Sequence, residues 1–221
     1  IIPKSMAKRR EKTKAERAVR SYRRTTMVAL LFLIVLQIYW LFGSDLLHNL
    51  QSLDSRHTEQ NQSAVATVSA DESSQADLQT LENKIQANYR LLVVWNSLWS
   101  FGYHYGPLNT ADKDVLFGVP FYAQMLAADF ALNAFQGYLL PLLYGLLGAL
   151  IFVLRTLLRE IRSLTYNFDS DIRYRLRLTL GALAGMIVGW FLKPDEAESL
   201  VSLSPMALAF LMGYNVDVLF S

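Results

Sequence analysis

The stretch from Gly137 to Leu192 limits the possible folds of this chain more than any other. Its first arm, GYLLPLLYGLLGALIFVL, carries no charge from Gly137 to Leu154, so it suits a helix crossing a ~30 Å hydrocarbon core. Arg155, Arg159, Arg162, Arg173, Arg175 and Arg177 follow. The second arm, LTLGALAGMIVGWFL, sets Gly181, Gly185 and Gly189 four residues apart. Clustered arginines hold one end of such a pair at the cytoplasmic side. A row of small residues lets helix backbones approach closely where lipid provides no hydrophobic drive.

The rest of the chain fits a membrane class. Hydrophobic residues make up 52% of its 221 positions and are clumped, with charge confined to blocks. Residues 1–26 hold ten Lys or Arg against Glu11 and Glu16, whereas residues 44–136 hold four basic and ten acidic residues. There is no cysteine, which removes disulfides, thiol nucleophiles and thiolate metal sites. Met6 reads as a true start after a short remnant, and the last apolar run reads as cut short at Ser221.

Residues 1–26 are read as a basic cytoplasmic tail. Contact with anionic lipid adds about 1 kcal/mol per basic residue near the surface. No groove-reading motif accompanies the charge, so nucleic acid is not an expected partner. Residues 27–43 form the first span as an uncleaved anchor, with Arg23 and Arg24 at the near head groups and Tyr39 and Trp40 at the far interface. Residues 44–136 form an extracytoplasmic helical region. Within it Leu46, Leu50, Leu53 and His57 make one helical stripe, and Leu78, Leu81, Ile85, Asn88 and Leu92 make another. The polar link around 60–75 then implies an antiparallel helical hairpin. Leu91 to Phe101 is too short to span and reads as interfacial. Val115 to Phe135 reads as an amphipathic helix at the outer surface, its polar side holding Gln124, Asp129 and Asn133. One extra crossing here would place the arginines outside, so neither segment is expected to cross.

The second span covers 137–158, an arginine-rich cytoplasmic turn covers 159–177, and the third span covers 178–192. Arg159 and Arg162 are expected at lipid head groups. The glycine row packs either against Gly145 and Gly148 of the same chain or against another subunit. An acidic outer loop at 193–202 leads to the fourth span, 203–221, whose start is marked by Ser204 before Pro205. Gln37, Asn215 and Asp217 are the polar residues within spans, and an intramembrane acid is a functional candidate. Arg155 and Arg177 are its expected ion-pair partners.

Motif chemistry is otherwise thin. His48, His57 and His104 are far apart and outside any H-E-x-x-H pattern. Two aspartates, Asp169 and Asp171, do not make a coordination sphere. No catalytic residue, cofactor site or metal site is assigned.

Tyr144-Gly145-Leu146-Leu147-Gly148-Ala149, Leu154-Arg155, the glycine row, and Ser204-Pro205 with Ala209-Phe210-Leu211 and Gly213-Tyr214 carry a resemblance. This C-terminal third resembles bacterial inner-membrane proteins of no established activity. The resemblance implies an inner-membrane location and a chain that continues beyond Ser221.

The sequence thus predicts an all-α, four-span protein of the bacterial inner membrane, with both ends cytoplasmic and an extracytoplasmic helical hairpin. Its partners are the lipid bilayer and further copies of itself, in a homo-oligomer that forms a pore or perturbs the membrane. The alternative is an anchored scaffold or sensor subunit that recruits another protein through its outer hairpin or its basic cytoplasmic surface.

Overall fold

Long runs of helix formers with few internal prolines or glycines produce long helices here. The computed structural model describes residues 4–66, 72–99, 118–163, 168–191 and 204–215, and among these there are helices and no strand. The helices are α1 (Lys4–Ala66), α2 (Glu72–Trp99), α3 (Val119–Ala134), α4 (Leu140–Ser163), α5 (Phe168–Phe191) and α6 (Pro205–Tyr214). A π-helical turn, Phe135–Leu139, joins α3 to α4. Pro141 follows two residues later and has no N–H to return to the Gly137 carbonyl. A wider turn beside such a residue is a common local adjustment of a helix.

Two helical stretches are long and apolar enough to cross a membrane, Val19–Gln60 and Val119–Ser163. Only 11% of the most apolar part of the first is buried, against 44% in the second. On α1, Met27, Val28, Leu31, Phe32, Ile34 and Val35 are all exposed while Leu33 is buried. The described apolar part of α5, residues 178–191, rises ~21 Å, and α6 rises ~15 Å.

Several boundaries differ from those read in the sequence. α1 runs on to Ala66 and α2 begins at Glu72, so most of the expected 60–75 link is helical. The arginines expected in a 159–177 turn lie on helices, because α4 continues to Ser163 and α5 begins at Phe168. Arginine is a good helix former, and its charge ends an apolar run without ending a helix.

The chain divides into two units, Ile1–Gln37 with Ala134–Ser221, and Ile38–Asn133. In the first, α4, α5 and α6 pack against one another. Their contacts are backbone to backbone at glycines. A Cβ on Gly145 would lie 2.8 Å from the Gly185 Cα and would overlap the Gly181 carbonyl oxygen. One on Gly213 would lie 2.6 Å from the Gly145 Cα, and one on Gly148 would lie 2.8 Å from the Tyr214 nitrogen. Gly189 meets the Gly137 carbonyl at 2.5 Å in the same sense. Val19 and Tyr22 of α1 pack against Val153, Leu157 and Tyr174, the other well-covered part of this unit.

In the second unit, Gly43 of α1 faces Trp95 of α2, and His57 of α1 lies 3.9 Å from Glu82 of α2. Higher numbers on α1 meet lower numbers on α2, so the two helices run in opposite directions. Of the expected stripe residues, Leu46, Leu50, Ile85 and Leu92 are buried and Leu53, His57, Leu78, Leu81 and Asn88 are half-buried.

Because the obstacles around Gly145 and Gly213 are backbone atoms, no rotamer change can clear them. Gly145→Ala and Gly213→Ala are each expected to cost about 1–3 kcal/mol of stability. Gly137 has nothing within 4 Å of its Cβ position, so Gly137→Ala should leave the thermal midpoint of the reconstituted protein unchanged. Equal midpoints for all three variants would remove the close-packing account.

Candidate functional site

Polar and charged side chains gather at one end of the glycine-packed helices. Arg155 of α4 donates a hydrogen bond from Nη1 to the Tyr214 hydroxyl. Arg177 of α5 donates from Nη2 to the Tyr214 carbonyl at 3.0 Å. Its guanidinium carbon stands 3.3 Å from the centroid of the Phe152 ring, whose neighbour edge-on at 5.6 Å is the Tyr214 ring. Tyr214 ends α6, and the last carbonyls of a helix carry its negative dipole end. Arg177 therefore closes a helix terminus that has run out of internal donors, while Arg155 holds the side chain of the same residue.

The geometry follows from the elements. Ser204 caps the other end of α6, its side chain accepting from the Ala207 N–H at 3.3 Å with Pro205 next in line. Close glycine contact then brings α6 against α4 and α5, and Tyr214 reaches Arg155 and Arg177. An open groove of about 310 Å³ adjoins the cluster, lined by Phe152, Thr156, Glu160, Arg173, Tyr174 and Arg177 among others. Tyr22 of α1 meets Tyr174 edge-on at 6.1 Å. Arg23 and Arg24 follow Tyr22 directly and are exposed, as are Arg155, Arg159 and Arg162. Exposed arginines on α1, α4 and α5 thus share one end of this unit.

Of the expected intramembrane polar set, Gln37 and Asn215 lie within the described residues. Asp217, the acid expected to pair with Arg155 and Arg177, lies outside the described residues. Within them, those two arginines converge on Tyr214. Asn215 is exposed and caps α6, its backbone N–H donating to the Leu211 carbonyl at 2.8 Å. Gln37 is half-buried on α1, and its Oε1 is buried with no hydrogen-bond partner. Gln37 stands ~22 Å along α1 from Tyr22, the residue at the arginine end. Gly145, Gly148, Gly181 and Gly185 are buried, and Gly189 is half-buried.

The second unit holds polar contacts that the sequence concealed. Asn96 of α2 and Gln124 of α3 are 4% and 5% exposed. The Asn96 Nδ2 donates to the Gln124 Oε1 at 2.7 Å and to its backbone carbonyl at 3.0 Å. Gln124 was expected on an outward polar side with Asp129 and Asn133. Those two are exposed and joined at 3.2 Å, whereas Gln124 faces inward. Nine residues of helix turn through half a circle, so Gln124 and Asn133 point in opposite directions. Tyr39 and Trp95 stack at 5.0 Å. The Tyr39 hydroxyl donates to the Trp95 carbonyl at 2.7 Å, and the Trp95 Nε1 donates to the Tyr39 carbonyl at 3.1 Å. Burial pushes the Tyr89 phenol above its ordinary value, and its ring lies 5.2 Å from that of Phe121. His48 is exposed, and His104 lies outside the described residues. Among the described residues, no group of three or more His, Asp or Glu is placed to hold a metal ion.

Comparison with protein-family models, with curated proteins and with solved structures found no match to this chain.

A charged hydrogen bond and a cation–π contact are lost together in Arg177→Ala. The expected cost is about 1–3 kcal/mol, with Arg177→Lys recovering only part because a lysine cannot hold both contacts in one plane. Tyr214→Phe removes only the Arg155 bond and should cost less. Chemical denaturation in a membrane-mimetic would rank the three, and an Arg177→Ala variant as stable as the parent would show that the arginine is idle.

Proposed function

We propose that this chain is a non-enzymatic, four-span protein of the bacterial inner membrane that acts as an anchored scaffold or sensor subunit. The observation that carries this reading is the glycine packing. Gly145, Gly148, Gly181, Gly185 and Gly213 meet backbone or small side chains of their own chain. The surface that favoured assembly through glycines is therefore occupied internally. Support for a membrane comes from α1, whose large apolar side chains point outward nearly all round, an arrangement suited to lipid. The shared arginine end suits the cytoplasmic face.

On this reading residues 44–99 form an extracytoplasmic helical hairpin that offers a docking surface. Support comes from a groove of about 380 Å³ between α1 and α2, lined by Arg56, Glu59, Gln60, Asp77, Thr80 and Lys84 among others. Charges of both signs there fit a polar protein surface. The basic tail and the arginine end provide a second docking surface, for an acidic partner or anionic head groups.

A homo-oligomeric pore is the second reading, favoured by α1, whose exposed large apolar side chains are open to a second copy as well as to lipid.

Native mass spectrometry of the complex in a membrane-mimetic separates the two. A single chain of 25.1 kDa is expected, alone or with a different protein. A discrete multiple of that mass, together with ion flux in liposomes holding only this chain, would overturn the scaffold reading.

Topology has its own test, since the chain has no native cysteine. Gln79→Cys and Ser163→Cys place thiols at two exposed helix positions. An impermeant maleimide added from outside is expected to label the first and not the second. The reverse pattern would sink the proposed orientation.

A further inference from the structure

Part of the second unit turns large apolar side chains outward. On α2, Leu91, Val94 and Leu98 fall on one helical face and are 49%, 64% and 71% exposed. On α3, Val119, Leu126 and Phe130 share a face and are 84%, 70% and 74% exposed. The inward sides of these same helices hold Leu92, Trp95, Phe121 and Leu132, and among them the amides of Asn96 and Gln124, bonded to each other. In water both features are unfavourable, because large apolar surface is wetted while amides are taken out of solvent. In hydrocarbon the stripes become favourable, because apolar side chains meet acyl chains, and bonding between the two amides is what a polar group there requires.

Charge placement agrees. No Asp, Glu, Lys or Arg occurs from Leu91 to Trp99, or from Gly118 to Ala128. Exposed Arg90 stands immediately before the first stripe, and exposed Asp129 is bonded to Asn133. On α1 the same unit also exposes Ile38, Leu41 and Phe42.

We propose that the last turns of α2 and the apolar stripe of α3 lie in the outer part of the bilayer, with both stripes facing lipid acyl chains. Leu91–Trp99 rises only ~13 Å, so α2 dips in without crossing, and the side on which the arginines lie is unchanged. The segments read from sequence as interfacial or outer-surface helices thereby become part of the membrane domain. The buried amide pair joins α2 to α3 inside lipid.

This inference rests on the membrane placement proposed above, and its test separates the two. Single cysteines at Leu31, Gln79, Leu98 and Phe130 carry a nitroxide in the full chain, reconstituted in phosphatidylethanolamine–phosphatidylglycerol vesicles. Collision with oxygen, which concentrates in lipid, is compared with collision with a water-soluble nickel chelate. Leu98 and Phe130 are expected to match Leu31, with oxygen collisions in excess, while Gln79 shows the reverse ratio. Nickel collisions in excess at Leu98 and Phe130, with Leu31 still in lipid, would overturn the immersion alone. Nickel collisions in excess at Leu31 as well would overturn the membrane placement itself. Low collision rates with both reagents at Leu98 and Phe130 would mean that protein covers the stripes, a second copy first among candidates, and would overturn the lipid assignment.

Discussion

Backbone approach between α4, α5 and α6 underlies the rest of the first unit. Wherever lipid surrounds a bundle, burying apolar side chains against each other gains little, and close van der Waals contact must hold helices together. Glycines at 145, 181, 185 and 213 remove the side chains that would keep these backbones apart. The same contact sets the height of α6. Tyr214 reaches Arg155 and Arg177 because Gly213 sits against Gly145 one residue earlier.

That chain of dependence gives the arginines a double character. Each carries a charge that reads in the sequence as an orientation signal, and two of them also hold the last residue of a short helix, Arg177 by its carbonyl and Arg155 by its hydroxyl. Arg177 meets the Tyr214 carbonyl and the Phe152 ring together. A planar cation suits this pairing because its edge donates hydrogen bonds while its face covers an aromatic ring. Electrostatic position and helix packing therefore meet in the same residues.

In the second unit the ordering principle is polarity. α1 and α2 bring together the expected leucine and isoleucine stripes, with Leu50, Ile85 and Leu92 fully covered. Further along, the covered positions pass to Trp95, Asn96 and Gln124, and the large aliphatic residues turn outward. Tyr39 and Trp95 exchange hydrogen bonds with each other's backbone where Gly43 leaves room for the indole. A water-facing helical pair that changes to an outward apolar surface along its length fits a structure that meets two solvents.

Sequence alone determined the all-helical class, the α1 and α2 stripe residues, the Ser204–Pro205 start of α6 and the small-residue faces of α4 and α5. These are local properties: periodicity, capping and side-chain size act within a few residues, so they can be read without knowing the neighbours. Only the tertiary structure decided which partner each face takes. Spacing left the glycine row open between its own chain and another, and the backbone contacts place Gly145 against Gly185. Helical periodicity alone could have placed Gln124 opposite Asn133, but its partner Asn96 lies 28 residues away, and Tyr214 lies 59 residues from Arg155. No local pattern encodes such pairings, because they follow from how whole helices stack.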